Sequence, residues 1–416
     1  MLLNLAAHLS LWTSISMLVL GGEPPAASPA DDALPSGSQV ENGGSMFAPP
    51  PRFVGDDGDY RSPLLFNDGR PVKTPAEWTK RRQEILQDWR RLLGPWPPVI
   101  ERPRVETLRT TQQDGYVQHT IRFDLAPGHT TEGYLLIPPG EGRRPAALVV
   151  FYEPETAIGE GTPHRDFARQ LARRGFVTLS VGKQPSLYYP SRDDAQLQPL
   201  SALAYGAANA YHVLASRLEV DADRVAVVGH SYGGKWAMFA ACLYEKFACG
   251  VWSDPGIVFD ESFSDVNYWE PWYLGYEPTP PSAESSDESA DDLDDDVPPS
   301  HRRWGAGRAR AASGVPTPEN PAFGLYPKLM RQGRNLHELH ALMAPRPFLV
   351  SGGAVDPPRR WQALNRSVAV NRLLGHENRV AMTNRESHAP DDTSNAQIAA
   401  FLERFLRPEA EPQTGR

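Results

Sequence analysis

The segment with the clearest chemical content reads Gly229-His230-Ser231-Tyr232-Gly233-Gly234-Lys235. Its first five residues fit the pattern G-x-S-x-G. That pattern belongs to a sharp strand-to-helix turn, which holds the serine in a strained backbone conformation. The glycines sit where strand and helix nearly touch. A serine held there stands above the sheet near a helix N-terminus, where developing negative charge is favoured. The implied chemistry is attack of Ser231 on an acyl carbon, which requires a general base, an acid behind it and N–H donors for an oxyanion.

Residues of each type follow in workable order. His388 lies in Glu386-Ser387-His388-Ala389-Pro390, on a loop between a strand expected at 379–383 and a helix expected at 394–405, and is the expected base. Asp356 ends an apolar run and a glycine turn, Val350-Ser351-Gly352-Gly353-Ala354-Val355-Asp356, and is the expected acid. Asp254, in Val251-Trp252-Ser253-Asp254-Pro255-Gly256, is the alternative acid, also at the end of an apolar run. The oxyanion donors are expected to be Tyr232 N–H and an N–H of the turn Glu153-Pro154-Glu155. Pro154 has no N–H, so the donor is Glu153 or another residue of that loop. The reaction is then a two-step acyl transfer with no metal and no cofactor. His337 and His340, three apart on a helix-like segment, are expected to be structural.

The same glycines compete for another reading. Gly229-x-x-x-x-Gly234-Lys235 is most of a phosphate-binding loop, but Trp236 stands where that loop needs Ser or Thr to hold magnesium. Nucleotide binding is set aside.

The elements that must position these residues follow an α/β grammar. A helix is predicted over 75–93, with Thr74 as N-cap, Pro75 at its first position and Glu77 completing a capping box. Trp78, Ile85, Leu86, Trp89, Leu92 and Leu93 share one face, and Gly94-Pro95 ends it. Strands are expected at 105–111, 116–125 and 133–138, joined by Asp114-Gly115 and Pro127-Gly128 turns. After Pro145, continuous apolar runs at 146–152, 176–181, 224–228, 247–253 and 346–351 alternate with helical spacing at 165–174, 203–218 and 235–243. Runs of that kind are strands buried on both faces. The alternation predicts a doubly wound, mostly parallel sheet with helices on both faces and an antiparallel edge.

Composition marks what surrounds this domain. The 416 residues include 41 Pro and 34 Gly, concentrated in a few stretches. Residues 1–22 are apolar without Lys or Arg and read as an export leader, cleaved or kept as an N-terminal membrane anchor. Residues 23–53 read as a linker, and 54–410 as the catalytic domain, interrupted by a Pro-rich, acidic, then basic insertion at about 277–321. The net charge of −9 comes largely from eight acids between Glu284 and Asp296, so no basic stripe marks a nucleic-acid binder. Cys242 and Cys249 are too few for a disulfide framework and read as buried apolar side chains.

On these residues the chain resembles the α/β-hydrolase superfamily over about residues 100–407, and within it the bacterial glucuronoyl-esterase and acetyl-xylan-esterase-like branch. Glucuronoyl esterases carry Gly-Cys-Ser-Arg-x-Gly-Lys where this chain has Gly229-His230-Ser231-Tyr232-Gly233-Gly234-Lys235. Leu342-Met343-Ala344-Pro345-Arg346-Pro347 and the helix ending in Leu93-Gly94-Pro95 are similar too. The resemblance implies that Lys235 contacts sugar hydroxyls and that Asp254 matches an alternative acid position. Tyr232 replaces an arginine that helps hold the oxyanion, a departure that bears on uronate specificity. Trp269 and Trp272, in an aromatic cluster, are candidate sugar-stacking residues. The expectation is an exported serine esterase acting on small-molecule or polysaccharide esters. A peptidase of the prolyl-oligopeptidase type is the enzymatic alternative, although no segment is long enough for a propeller domain. A non-catalytic surface protein that kept the fold is the alternative of another class.

Overall fold

The structure, a computed structural model, describes residues 45–182, 197–260 and 325–407. The leader, most of the linker, the 277–321 insertion, Trp269 and Trp272 lie outside the described residues.

Nine strands form one sheet among the described residues. Strands β1 (Val105–Gln113), β2 (Tyr116–Ala126) and β3 (His129–Ile137) make an antiparallel meander. The tight turns Asp114-Gly115 and Pro127-Gly128 join them, and both glycines have positive φ. Strands β4 (Arg144–Phe151), β5 (Val177–Gly182), β6 (Val220–His230), β7 (Cys249–Ser253), β8 (Phe348–Gly352) and β9 (Val380–Asn384) are parallel. The order across the sheet is β1-β2-β3-β5-β4-β6-β7-β8-β9.

Alternate residues of the apolar runs feed two cores. Ala146, Leu148 and Val150 of β4, with Val225 and Val227 of β6, face one core; Ala147, Val149, Ala226 and Val228 face the other. The first is covered by α1 (Pro75–Leu93), α4 (Pro199–Ala215), α5 (Tyr232–Leu243), α7 (His337–Ala341) and α8 (Trp361–Leu373). The second is covered by α2 (Pro154–Ile158), α3 (Phe167–Arg173) and α9 (Asp392–Leu406). A further helix, α6 (Leu325–Arg331), precedes α7. Burial on both faces explains why these strands are continuously apolar. Each buried Val or Leu contributes about 1.5–3 kcal/mol.

Local signals account for the helix ends. Helix α1 carries the expected capping box: Glu77 N–H donates to Thr74 Oγ1 at 3.2 Å, and Thr74 N–H donates to Glu77 Oε2 at 3.1 Å. Trp78, Ile85, Trp89 and Leu93 are buried, while Leu86 and Leu92 are half-buried. Helix α4 starts at Pro199, four residues before the 203 expected from periodicity, because proline is well placed in a first turn. Ordered packing begins inside the stretch expected as linker. Met46 accepts a hydrogen bond from Met382 N–H, and the Phe47 ring meets Phe401 and Phe405.

The topology fixes where a site can form. Strand β4 pairs with β5 on one side and β6 on the other. The chain therefore leaves β4 in one direction and returns to its opposite flank. Beyond the C-terminal ends of β4 and β6 the two connections diverge and open a crevice. The loop after β4 begins at Tyr152, and the residue after β6 is Ser231.

Candidate active site

Ser231 is the N-cap of α5, with φ 55° and ψ −122°. That left-handed φ is a strained conformation for a residue with a side chain. Two things over-determine it. Ser231 N–H donates to Ser253 O of β7 at 2.8 Å. Strand and helix meet so closely that a Cβ on Gly229 would lie 2.1 Å from Gly233 O, and one on Gly233 would lie 2.2 Å from Val150 O. The glycines of the pattern are thus there for the reason read in the sequence.

His388 Nε2 lies 3.0 Å from Ser231 Oγ, and His388 Nδ1 lies 2.8 Å from Asp254 Oδ2. An ionised carboxylate only accepts, so Nδ1 carries the proton and Nε2 is left to accept from the Ser231 hydroxyl. The His388 side chain is 38% exposed, whereas the Asp254 side chain is fully buried.

The carboxylate that meets His388 is that of Asp254, the alternative acid, and not that of Asp356, the first expectation. The reason is the direction of two neighbouring turns. Asp254, itself at φ 50°, follows β7 and turns its carboxylate under the His388 loop. It also accepts N–H bonds from Asp356 at 2.7 Å and Val355 at 3.2 Å. Asp356, after β8, turns the other way. Its carboxylate accepts from Gly256 N–H and Ile257 N–H, both at 2.8 Å, and from Arg360 Nε at 3.3 Å. Each aspartate thus holds the turn that carries the other. Burial pushes the Asp356 carboxyl up against the pull of Arg360, and the negative charge of Asp254 adds to the upward push.

Lys235 is buried and its Nζ donates to Gly256 O. Burial pushes its ammonium down to about 7, against the attraction of Asp356. Its place in the described structure is under the turn that follows Asp254.

The two expected oxyanion donors belong to adjacent segments. Tyr232 is the first residue of α5, at the end where helical N–H groups face outward. Glu153 is the N-cap of α2, directly after β4. The Tyr152 and Tyr232 rings stack at 4.8 Å, which ties the two segments together. The Tyr232 side chain is buried. Of the two acids flanking Pro154, Glu155 turns back toward β3 and accepts from Tyr134 Oη at 2.9 Å, while Glu153 is exposed.

Sequence reasoning passed over three residues here. His230 packs its ring 4.8 Å from that of His388 and against Phe151, with Nδ1 3.1 Å from both Ser253 O and Ser253 Oγ. Burial holds its pKa well below the usual value, and the neighbouring His388 pushes the same way, so it stays neutral. Ser253 links His230 to Arg385. An arginine between a strand end and the base was the one signal available for Arg385. His337 and His340 are fully buried: His337 Nε2 meets Arg61 O at 2.7 Å, and His340 stacks with Trp252 and Phe348. Cys242 and Cys249 are buried thiols.

The profile of the prolyl oligopeptidase family matches residues 207–294, which include the nucleophile turn. A 4-O-methyl-glucuronoyl methylesterase of Phanerochaete carnosa is 27% identical over 241 residues, 54% of this chain. The match spans 56% of that relative's length. A glucuronoyl esterase from Solibacter usitatus superposes with a TM-score of 0.59 at 16% identity, covering 83% of this chain and 97% of that one. A glucuronoyl esterase from Teredinibacter turnerae gives 0.57 at 18% identity, covering 87% and 94%. The chain has the α/β-hydrolase fold.

Proposed function

We propose that this chain is an exported serine esterase that cleaves carboxylic esters on carbohydrates, with uronate methyl esters as the first substrates to consider. The observation that carries the reading is the chain of contacts from Ser231 Oγ through His388 to Asp254, at 3.0 and 2.8 Å, at the sheet's switch point. The substrate class is supported by the likeness to a 4-O-methyl-glucuronoyl methylesterase and to glucuronoyl esterases of the same fold.

In this reading, His388 Nε2 takes the Ser231 proton as Oγ attacks the ester carbonyl. Asp254 stabilises the imidazolium that results. The oxyanion is held by backbone N–H groups, with Tyr232 and Glu153 as the candidate donors. His388 then protonates the leaving alcohol, and a water activated by the same nitrogen releases the acid from the acyl-enzyme. The His388 side chain is partly exposed, as a base that meets substrate must be, while Asp254 is buried behind it. With a buried tyrosine in place of the branch's arginine, the oxyanion relies on backbone donors, so neutral acyl groups such as acetyl are the second class to test.

The match to the prolyl oligopeptidase family favours a second reading, peptide hydrolysis by the same three residues. One experiment separates the two. The purified protein and Ser231→Ala are offered p-nitrophenyl acetate, a glucuronate methyl ester and a prolyl p-nitroanilide peptide. Ester cleavage lost by about 10⁴-fold or more in the variant supports the proposal. Peptide cleavage without ester cleavage moves the function to a peptidase. Equal activity in both proteins rejects Ser231 as nucleophile.

A further inference from the structure

We propose that Arg385 is the residue that positions His388, by fastening the base-bearing loop to the ends of the two strands beside it. The inference rests on the acyl-transfer reading above.

His388 sits on the loop between β9 and α9, where Glu386, Ser387 and Ala389 are exposed. Apolar packing reaches this loop beyond His388, at the buried Pro390, and leaves the residues on either side of His388 to other contacts. One guanidinium supplies what packing does not. Arg385 Nη2 donates to His388 O at 2.6 Å, and Nε donates to Ala389 O at 2.8 Å. These two bonds curl the loop around the arginine's own side chain. The same guanidinium reaches into the sheet. Nη1 donates to Ser351 O at 2.9 Å, Ser351 Oγ at 3.1 Å and Gly352 O at 3.3 Å, all on β8. Nη2 donates to Ser253 Oγ of β7 at 3.1 Å. The backbone joins in, with Arg385 N–H on Gly352 O at 3.1 Å.

The anchor points matter because of what stands next to them. Ser253 immediately precedes Asp254, and its carbonyl accepts the Ser231 N–H. Nucleophile, acid and base are thus referred to the same strand end, the base through Arg385. Ser253 Oγ also meets His230 Nδ1, whose ring lies against that of His388. Arg385 touches neither Ser231 nor the place of the reacting carbonyl, so its role is positioning. The task suits a planar fork of five donors, and a lysine ammonium, with three donors at one point, cannot span both strands and the loop.

The test reads Ser231 reactivity directly, as the rate at which a fluorophosphonate labels it, beside kcat and KM for an ester. Arg385→Met is expected to fold yet label about 100-fold more slowly, the cost of displacing a catalytic group by about 1 Å. Its kcat should fall with KM little changed, and added guanidinium ion should recover part of the rate. A folded R385M that labels at the wild-type rate overturns the proposal, as does a loss that guanidinium leaves untouched. If R385M does not fold, Arg385→Lys decides: slowing by about tenfold or more supports the proposal and a wild-type rate overturns it. Labelling needs no substrate, so a wild type labelled at Ser231 that cleaves no ester sinks the ester assignment while Arg385 is still measured. A wild type that is not labelled at Ser231 refutes both.

Discussion

The reciprocal aspartates allow a sharp test, because Asp254→Asn and Asp356→Asn make the same chemical change about one strand apart. In Asp254, Oδ2 receives His388 Nδ1 and Val355 N–H, and Oδ1 receives Asp356 N–H. An amide turns one of these oxygens into a donor. Whichever oxygen is replaced, a backbone N–H (of Val355 or of Asp356) faces another donor, which costs about 1–3 kcal/mol of stability, and an amide nitrogen at Oδ2 also makes His388 flip its tautomer. The charge that stabilises the imidazolium is lost in both cases, and the expected fall in kcat is about 10⁴-fold. Asp356→Asn leaves His388 alone. It removes one of the two carboxylates paired with Arg360, which keeps Asp260, and disturbs the bonds to Gly256 and Ile257, so stability should fall by about 1–3 kcal/mol. Activity in the protein that remains folded should fall only about tenfold, through a small shift of the turn holding Asp254. The assay is kcat on a p-nitrophenyl ester together with thermal unfolding of each variant. Folded D356N that is nearly inactive, beside D254N within tenfold of wild type, would refute the assignment of Asp254.

Two further outcomes follow from the packing around the site. His340 is fully buried with neither ring nitrogen hydrogen-bonded among the described residues, and burial pushes its pKa down to about 3. The unfolded chain binds a proton near pH 6.5 that the folded chain refuses, so stability falls as pH drops from about 6.5 toward 3. His340→Phe keeps the stack on Trp252 and Phe348, and its unfolding temperature should gain on wild type steadily over that window; a constant offset would count against the argument. At the nucleophile turn, Gly229→Ala and Gly233→Ala drive a methyl to within 2.1–2.2 Å of backbone oxygen, so both should lose activity by about 100-fold or fail to fold. Gly234→Ala, whose nearest contact is 3.1 Å, should be milder in the same kinetic and melting assays.

What the sequence made legible is local. The capping box of α1, the two-faced strands and the nucleophile turn are each written in a few adjacent residues, because hydrogen bonding, burial and close approach act over that range. The choice of acid was not legible. Strands β7 and β8 are neighbours, both end in a turn bearing an aspartate, and only the direction of each turn decides which carboxylate meets His388. Lys235 shows the same limit. Its spacing from Ser231 resembles a sugar-contacting lysine, and nothing in that spacing shows that its Nζ also donates to Gly256 O, in the turn after Asp254. Phe47 shows another. Pro-rich surroundings made 23–53 read as linker, but two apolar side chains suffice to dock its end on α9, where Arg404 also covers the Phe47 ring.

The most direct measurement is to quench the protein during turnover of a p-nitrophenyl ester and locate the acyl group by peptide mass. The account predicts one acyl group per molecule, on Ser231, accumulating in D254N or in wild type at early times and absent from Ser231→Ala. Turnover with no acyl group on Ser231, or an acyl group on another residue, would contradict it.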